Sequence, residues 1–316
     1  MTTMTPVMLA LNAMATRFEL VLYGENATRL RAAGEAALKE VERLEAQLSL
    51  YRPTSEIARV NASAALQPVR VSPSVFRLLQ HARQLQGESG GAFDITVAPL
   101  VRCWGFMHGT GRVPEPAEIE AARSRAGMAH VMLDEENYSV RFDQEGVMID
   151  LGAIGKGYAI DCAAETLREA GVTSALLHGG TSTVCGIGAP PGAGGWKIAI
   201  APVPDQPPRQ TAVVLRDNAL SVSAVWGRSF EAGGKKFGHV IDPRTGWPVN
   251  NAVQAAVVLP SATETDALST ALLVLGMEGH EAISRLRPDM GTLVVAPAEQ
   301  DFHFKAQGIA VAGSGS

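Results

Sequence analysis

The run Met148-Ile-Asp150-Leu-Gly-Ala153-Ile-Gly-Lys156-Gly-Tyr158 puts a carboxylate, a glycine-rich turn and a lysine where an apolar stretch hands over to a helix. Glycines let backbone N–H groups approach a ligand, and the first turn of a helix offers unpaired amides at a positive dipole end. With the Lys156 ammonium added, such a corner suits a phosphate or pyrophosphate, and Asp150 suits a sugar hydroxyl, a base or a metal-bound water. The spacing matches neither the Walker G-x-x-x-x-G-K-[ST] pattern nor the dinucleotide G-x-G-x-x-G fingerprint. A plain strand-to-helix turn with a surface lysine remains the other reading of these residues.

Three more segments carry groups of the right type. Gly90-Gly91-Ala92-Phe93-Asp94-Ile95-Thr96 sets an aromatic ring and a carboxylate just after two glycines. Phe93 is placed to stack on a flat ring system and Asp94 to bind polar ligand atoms, or else Asp94 simply caps a short helix. In Gly238-His239-Val-Ile-Asp242-Pro-Arg-Thr-Gly246 a strand runs into a proline turn. It carries a histidine that is either structural or a proton acceptor. In Thr263-Glu-Thr-Asp266-Ala-Leu-Ser269-Thr270, Asp266 and Thr270 stand four apart and share one helix face. A carboxylate beside a hydroxyl suits a hard cation such as Mg²⁺, and capping by Thr263 or Thr265 is the alternative.

Hydrophobic period and punctuation give the elements that must hold these groups. Strands are expected at 18–23, 138–142, 146–151, 174–178, 183–187, 196–201, 211–216, 253–259 and 292–296. Helices are expected at about 27–50, 73–87, 154–170, 265–276 and 279–287. Residues 190–195 and 202–208 read as surface loops. Strands and helices mix without strict alternation, which favours α+β over a doubly wound sheet.

Composition narrows the class. The chain has 316 residues, 46% hydrophobic and 19% charged, with a net charge of −5. That charge offers no basic face for nucleic acid. Cys103, Cys162 and Cys185 are scattered, with no zinc or disulfide spacing. Apolar runs fall short of a membrane span, and the start of the chain lacks a basic n-region, an apolar h-region and a lipobox cysteine. The expectation is a cytoplasmic location.

The order of the motifs adds to this. Met14-Ala-Thr-Arg-Phe, Leu50-Tyr51-Arg-Pro-Thr-Ser-Glu56, Gly91-Ala-Phe-Asp94, Asp150-Leu-Gly-Ala-Ile-Gly-Lys-Gly157, His239-Val-Ile-Asp-Pro-Arg-Thr-Gly246 and Thr265-Asp-Ala-Leu-Ser-Thr270 occur in one sequence. Together they resemble the FAD:protein FMN transferases, the flavin transferase (ApbE) family. The resemblance implies an α+β fold of two intimately packed mixed subdomains around a largely antiparallel sheet. One domain would span about 12–300 with the site between its halves, and 301–316 would be a tail. It implies an Mg²⁺-dependent transferase that takes FAD as substrate, splits its pyrophosphate, moves FMN to a Thr or Ser hydroxyl of a client protein and releases AMP. An FAD pyrophosphatase and a non-catalytic FAD-binding protein are the alternatives.

Carried over by motif, Met14, Ala92, Phe93, Asp94, Asp150, Lys156 and Val240 resemble FAD contacts. Met14 lies in the segment matching the family's Met-Gly-Thr. Ala153 (through its carbonyl), Asp266 and Thr270 resemble metal ligands, with Ser269 adjacent, and His239 matches the histidine needed for transfer. Two segments depart from the pattern. Val222-Ser-Ala-Val-Trp226-Gly-Arg228 stands where the family usually has a Thr-Ser-Gly-Asp-Tyr-like run, and Gly179-Gly180-Thr181 stands for Gly-Gly-Asp.

Overall fold

The computed structural model describes residues 5–107, 109, 111–204, 211–298 and 301–310. The chain opens with a hairpin, β1 (Val7–Ala13) and β2 (Thr16–Leu22), in register from Val7↔Leu22 to Ala13↔Thr16. Helix α1 (Ala27–Leu48) follows, its first turn capped by the Asn26 side chain. Its buried stripe of Leu30, Ala33, Ala37, Val41, Leu44 and Leu48 has the 3.6-residue period that identified it.

Then come α2 (Glu56–Ser63), β3 (Val69–Arg70), α3 (Pro73–Glu88), α4 (Ala98–Cys103), α5 (Pro116–Arg123), β4 (Val131–Asp134) and β5 (Ser139–Phe142). The middle of the chain holds α6 (Gly155–Glu169), β6 (Ala175–Gly179), β7 (Thr183–Ile187), β8 (Trp196–Ile200), β9 (Thr211–Leu215), β10 (Asn218–Ala224), β11 (Ser229–Ala232) and β12 (Lys235–Gly238). The last elements are β13 (Gln254–Leu259), α7 (Ala262–Ser284), β14 (Gly291–Pro297) and β15 (Phe302–Gln307).

Among the described residues, eight strands form one sheet in the order β1-β2-β6-β7-β10-β13-β14-β15. Every neighbouring pair in it is antiparallel. Helices α1, α6 and α7 pack together on one face, and the main core lies between them and the sheet. The other face buries Val184, Leu220, Leu293 and Val295 under Trp196, Val213 and Leu215 of the β8–β9 ribbon. A third cluster of Leu100, Trp104, Phe106, Ile119 and Ile241 sits beneath the β11–β12 hairpin. The fold is α+β with an antiparallel core, as the resemblance implies.

Four expectations are corrected. Residues 146–151, expected as a strand, form no ladder. Instead the Asn61 side chain pairs with Ile149 as a strand neighbour would, donating to its carbonyl at 2.8 Å and accepting from its N–H at 2.7 Å. An apolar run pinned on both sides reads like a buried strand but need not pair with one.

Helices expected at 265–276 and 279–287 are one helix, α7, with a kink at Gly276. There φ is +65°, a left-handed value that glycine takes at little cost, and the Asn251 amide donates to the Val274 carbonyl at 3.4 Å. The cap of α7 is Ser261, not Thr263 or Thr265. Finally, 302–307 are not the start of a tail but the edge strand β15, paired to β14 from Pro297↔Phe302 to Thr292↔Gln307. The expected loop at 202–208 lies partly, and the remaining tail from 311 wholly, outside the described residues.

Candidate active site

The Asp150–Lys156 turn is fixed by its backbone. The Asp150 N–H donates to Ile95 O at 2.7 Å, which brings the Gly90–Thr96 segment beside it, and the Gly152 N–H donates to Asp150 Oδ1 at 2.8 Å. Burial pushes the Asp150 carboxyl up from the usual carboxylate range, opposed by the Gly152 amide and by Lys156 and Arg228. Lys156 Nζ donates to the Gly152 carbonyl at 2.8 Å and lies 3.5 Å from Asp266 Oδ1.

The start of α6 is less open than expected. The Gly155 N–H is bonded to Leu151 O at 2.7 Å, and the Gly157 N–H donates to Asp266 Oδ2 at 3.0 Å. Lys156 is therefore the main group here that faces an anion. Gly157 is required by contact, because a Cβ on it would lie 2.1 Å from the Ala262 carbonyl oxygen and 2.8 Å from the Asp266 Cβ. The second glycine of Gly-Lys-Gly lets α6 and α7 touch.

Asp161, one helical turn beyond Gly157, was not singled out by the sequence. Its carboxylate accepts from Ser261 Oγ (2.9 Å), the Ala262 N–H (2.8 Å), the Thr263 N–H (2.9 Å) and Thr263 Oγ1 (2.6 Å). It caps α7 from outside and so fixes where Asp266 stands. The signal was there: an acid four residues after the glycine that marks the helix contact.

Period-two alternation on β10 turns Ala219, Ser221 and Ser223 toward the helices and Leu220 away. Ser221 Oγ meets Thr265 Oγ1 at 2.8 Å, and Ser223 Oγ lies 2.9 Å from Ser269 Oγ and 3.2 Å from Thr270 Oγ1. Thr270 and Ser269 also donate to the Asp266 carbonyl oxygen. Asp266, Thr270 and the Ala153 turn thus supply oxygens only, and the Lys156 ammonium already sits between the Gly152 carbonyl and Asp266. A small hard cation fits this donor set. Among the described residues no three His, Cys, Asp or Glu side chains converge, so such an ion would complete its shell with other oxygens.

His239 extends the β11–β12 ladder by one pair. Its N–H donates to the Arg228 carbonyl at 3.0 Å, and its Nδ1 lies 3.1 Å from the same oxygen and 3.3 Å from the Arg228 nitrogen. Burial holds its pKa below the ordinary 6.5, with Arg228 and Lys156 adding to the fall and the Arg228 main chain opposing it. The Arg228 guanidinium in turn hydrogen-bonds the Tyr51 hydroxyl and lies close enough to Asp150 to act on its charge. The following turn is closed by the Gly246 N–H on Asp242 O at 2.8 Å and by the paired contacts of Arg244 with the Asp242 carboxylate. Val240 is partly buried against the main core, and its carbonyl accepts from the Val249 N–H.

The remaining residues fall differently from expectation. Ala92 and Phe93 are each 1% exposed, so the Phe93 ring is core and not free to stack on a ligand. Asp94 caps no helix. Its Oδ1 accepts from the Thr96 N–H and hydroxyl at 2.7 and 2.6 Å, a local turn, while α4 starts at Ala98 without a side-chain cap. Burial raises the Asp94 carboxyl. Met14 sits at φ +50° in the β1–β2 turn, its N–H on Glu45 at 2.7 Å, and Glu45 also pairs with Arg52 beside Tyr51. Arg228, Tyr51, Ser223 and Asn61 join the site without having been given a role from the sequence.

Residues 14–294 match the model of the ApbE family. A protein of Salmonella typhimurium named FAD:protein FMN transferase is 32% identical over 284 residues, 86% of this chain and 79% of that one. One of the same name from Vibrio cholerae is 33% identical over 252 residues, 77% of this chain and 73% of that one. Among solved structures, the flavin transferase ApbE from Vibrio cholerae superposes with a TM-score of 0.84 at 27% identity, covering 96% of this chain and 97% of that one. The apbe protein from Thermotoga maritima superposes with a TM-score of 0.83 at 28% identity, covering 95% and 96%. With its motifs, its antiparallel core and its helix-contact glycine in place, the chain belongs to the ApbE family.

Proposed function

We propose that this protein is an Mg²⁺-dependent FAD:protein FMN transferase that moves FMN from FAD to a Thr or Ser hydroxyl of a client protein and releases AMP. The observation that carries the reading is the Lys156 ammonium held against Asp266 at 3.5 Å, with the charge of Lys156 also reaching His239. That arrangement supports the reading, because the ammonium that meets the carboxylate is also near enough for its charge to act on the imidazole. The names of the relatives supply the substrate pair.

In this reading FAD lies along the Met14 turn, Tyr51, the Asp94 segment, Asp150 and Val240. Asp266 and Thr270, with the Ala153 carbonyl, would hold the Mg²⁺. When bound, the ion offsets charge on the pyrophosphate oxygens.

His239 takes the proton of the acceptor hydroxyl at Nε2. The hydroxyl oxygen bonds to the phosphorus on the FMN side of the pyrophosphate. The bond from that phosphorus to the bridging oxygen breaks, and the electron pair leaves with AMP. Lys156 stabilises the charge building on that oxygen. Its depressed pKa keeps His239 neutral, and so able to accept a proton, at neutral pH.

Incubation with FAD and MgCl₂, with and without protein extract from the host organism, tests this. AMP together with a covalently fluorescent protein band supports transfer. AMP with free FMN alone replaces it by hydrolysis, and no AMP in either mixture replaces it by binding only.

A further inference from the structure

The loop between β10 and β11 is where this chain departs from its family, and it carries the partner of His239. Val225 anchors it, its N–H donating to Val253 O at 3.1 Å. Arg228 ends it, directly opposite His239. One oxygen, the Arg228 carbonyl, accepts from the His239 backbone N–H at 3.0 Å and faces the ring Nδ1 at 3.1 Å, while the Arg228 N–H points at the same ring nitrogen as a competing donor from a longer 3.3 Å. No carboxylate contacts the ring among the described residues. A neutral imidazole carries one proton, and the nitrogen facing the better acceptor keeps it.

We propose that Arg228 is the positioning residue for His239: its carbonyl takes the Nδ1 proton, which leaves Nε2 as the base nitrogen, and its guanidinium clamps the loop that carries this carbonyl. The clamp is the Tyr51 hydroxyl, which rides on the turn after α1, so the guanidinium bridges the loop to the helical layer. Glycine at 227 is part of the arrangement, because a Cβ there would lie 3.1 Å from His239 Cε1 and push the ring. The backbone of this arginine thus orients the base, and its side chain holds that backbone still. The charges that reach the ring are Arg228 and Lys156, both cationic, so neither favours a second proton on it. The planar fork of arginine suits the clamp better than a lysine ammonium does.

The inference rests on His239 being the base, but its test separates the two. ¹⁵N-labelled protein without FAD is examined by long-range ¹H–¹⁵N correlation at pH 8, the His239 ring being assigned with His239→Gln. The expected result is a proton on Nδ1 in the wild type and a mixture of tautomers in Arg228→Ala, which keeps the carbonyl and loses only the clamp. Steady-state AMP release from FAD should fall about 10- to 100-fold in kcat in Arg228→Ala, as expected for a displaced base, with KM for FAD changed by less than about threefold. Arg228→Lys should recover only part of this loss. If Arg228→Ala does not fold, Tyr51→Phe removes the same clamp and carries the same expectation. A wild-type ring protonated on Nε2, or a variant with tautomer and kcat unchanged, overturns the proposal, as does a rise in KM with kcat intact. A wild type that releases no AMP at all would sink the functional reading, while the ring spectrum would still report on the geometry.

Discussion

Asp161 and Asp266 cap each other's helices. Asp161 of α6 takes the first N–H groups of α7, and Asp266 of α7 takes the Gly157 N–H in the first turn of α6. The two contacts close a loop around the point where α6 and α7 touch, so the carboxylate proposed to hold the cation is positioned by a second carboxylate that never meets it.

Asp161→Ala should therefore cost more than an ordinary cap. Four hydrogen bonds to a carboxylate are lost, two of them from backbone amides, and an ordinary cap alone contributes about 1 kcal/mol. Urea unfolding should show a loss of about 2–3 kcal/mol, and half-saturation for Mg²⁺ should rise as Asp266 loosens. Unchanged stability would mean that water replaces the cap at no cost.

Asp266→Asn keeps an oxygen for the Gly157 N–H but removes the charge. If Asp266 holds the metal, Mg²⁺-dependent AMP release should fall to background while the unfolding midpoint changes little. Activity near that of the wild type would remove the metal assignment.

These helix contacts show what the sequence conveyed and what it did not. Gly157, Lys156, Asp266, Thr270 and His239 stand in short motifs whose chemistry shows in residue type and spacing. Asn61 and Arg228 act across more than 10 positions of sequence, through backbone groups that any residue supplies, so no local pattern marks them, and Asp161 shows only as an acid four residues after the helix-contact glycine. Strand β10 was missed because its helix-facing side carries serines where a core strand usually carries aliphatics. The burial of Phe93 is hidden for a related reason: an aromatic ring beside two glycines looks the same in sequence whether it faces a ligand or the core.

Glu264 gives a pH prediction. His81 and Arg287 hold its carboxyl at about 2, below its ordinary 4.5, and Arg287 also reaches Glu88. A carboxyl depressed in the folded state contributes stability above its unfolded pKa and loses it as pH falls through the folded value. The tie between α3 and α7 should thus weaken between about pH 4.5 and 2, and Glu264→Gln should flatten the stability profile across that window. Parallel profiles for the two proteins would assign the acid sensitivity elsewhere.

Ala15 occupies a left-handed position, φ +58°, next to Met14 at +50°, in the two-residue turn between β1 and β2. Such turns favour glycine, and an L side chain is strained there by about 1 kcal/mol. The family segment that this turn matches has glycine at that place. Ala15→Gly should raise the thermal midpoint, with the turn still anchored by the Met14 N–H on Glu45. A lower midpoint would show that the entropy lost by a free glycine outweighs the strain relieved.

His239→Gly tests the proton acceptor. Nothing in the ring's surroundings makes it a ground-state anchor for FAD, since its Nδ1 is taken by Arg228. The loss should fall on the transition state, about 10²–10⁴-fold in kcat, with FAD affinity by fluorescence titration nearly unchanged. The wild-type profile of kcat/KM against pH, which reports groups of the free enzyme, adds a sign. The ring must be neutral to accept a proton, and burial with Arg228 and Lys156 lowers its pKa, so the acid limb should lie below 6.5. Lys156→Met removes one of those cations and should move that limb up, whatever it does to the maximum rate. An acid limb above 6.5, or one that moves down in Lys156→Met, would show that the limb belongs to another group and that His239 is not the titrating base.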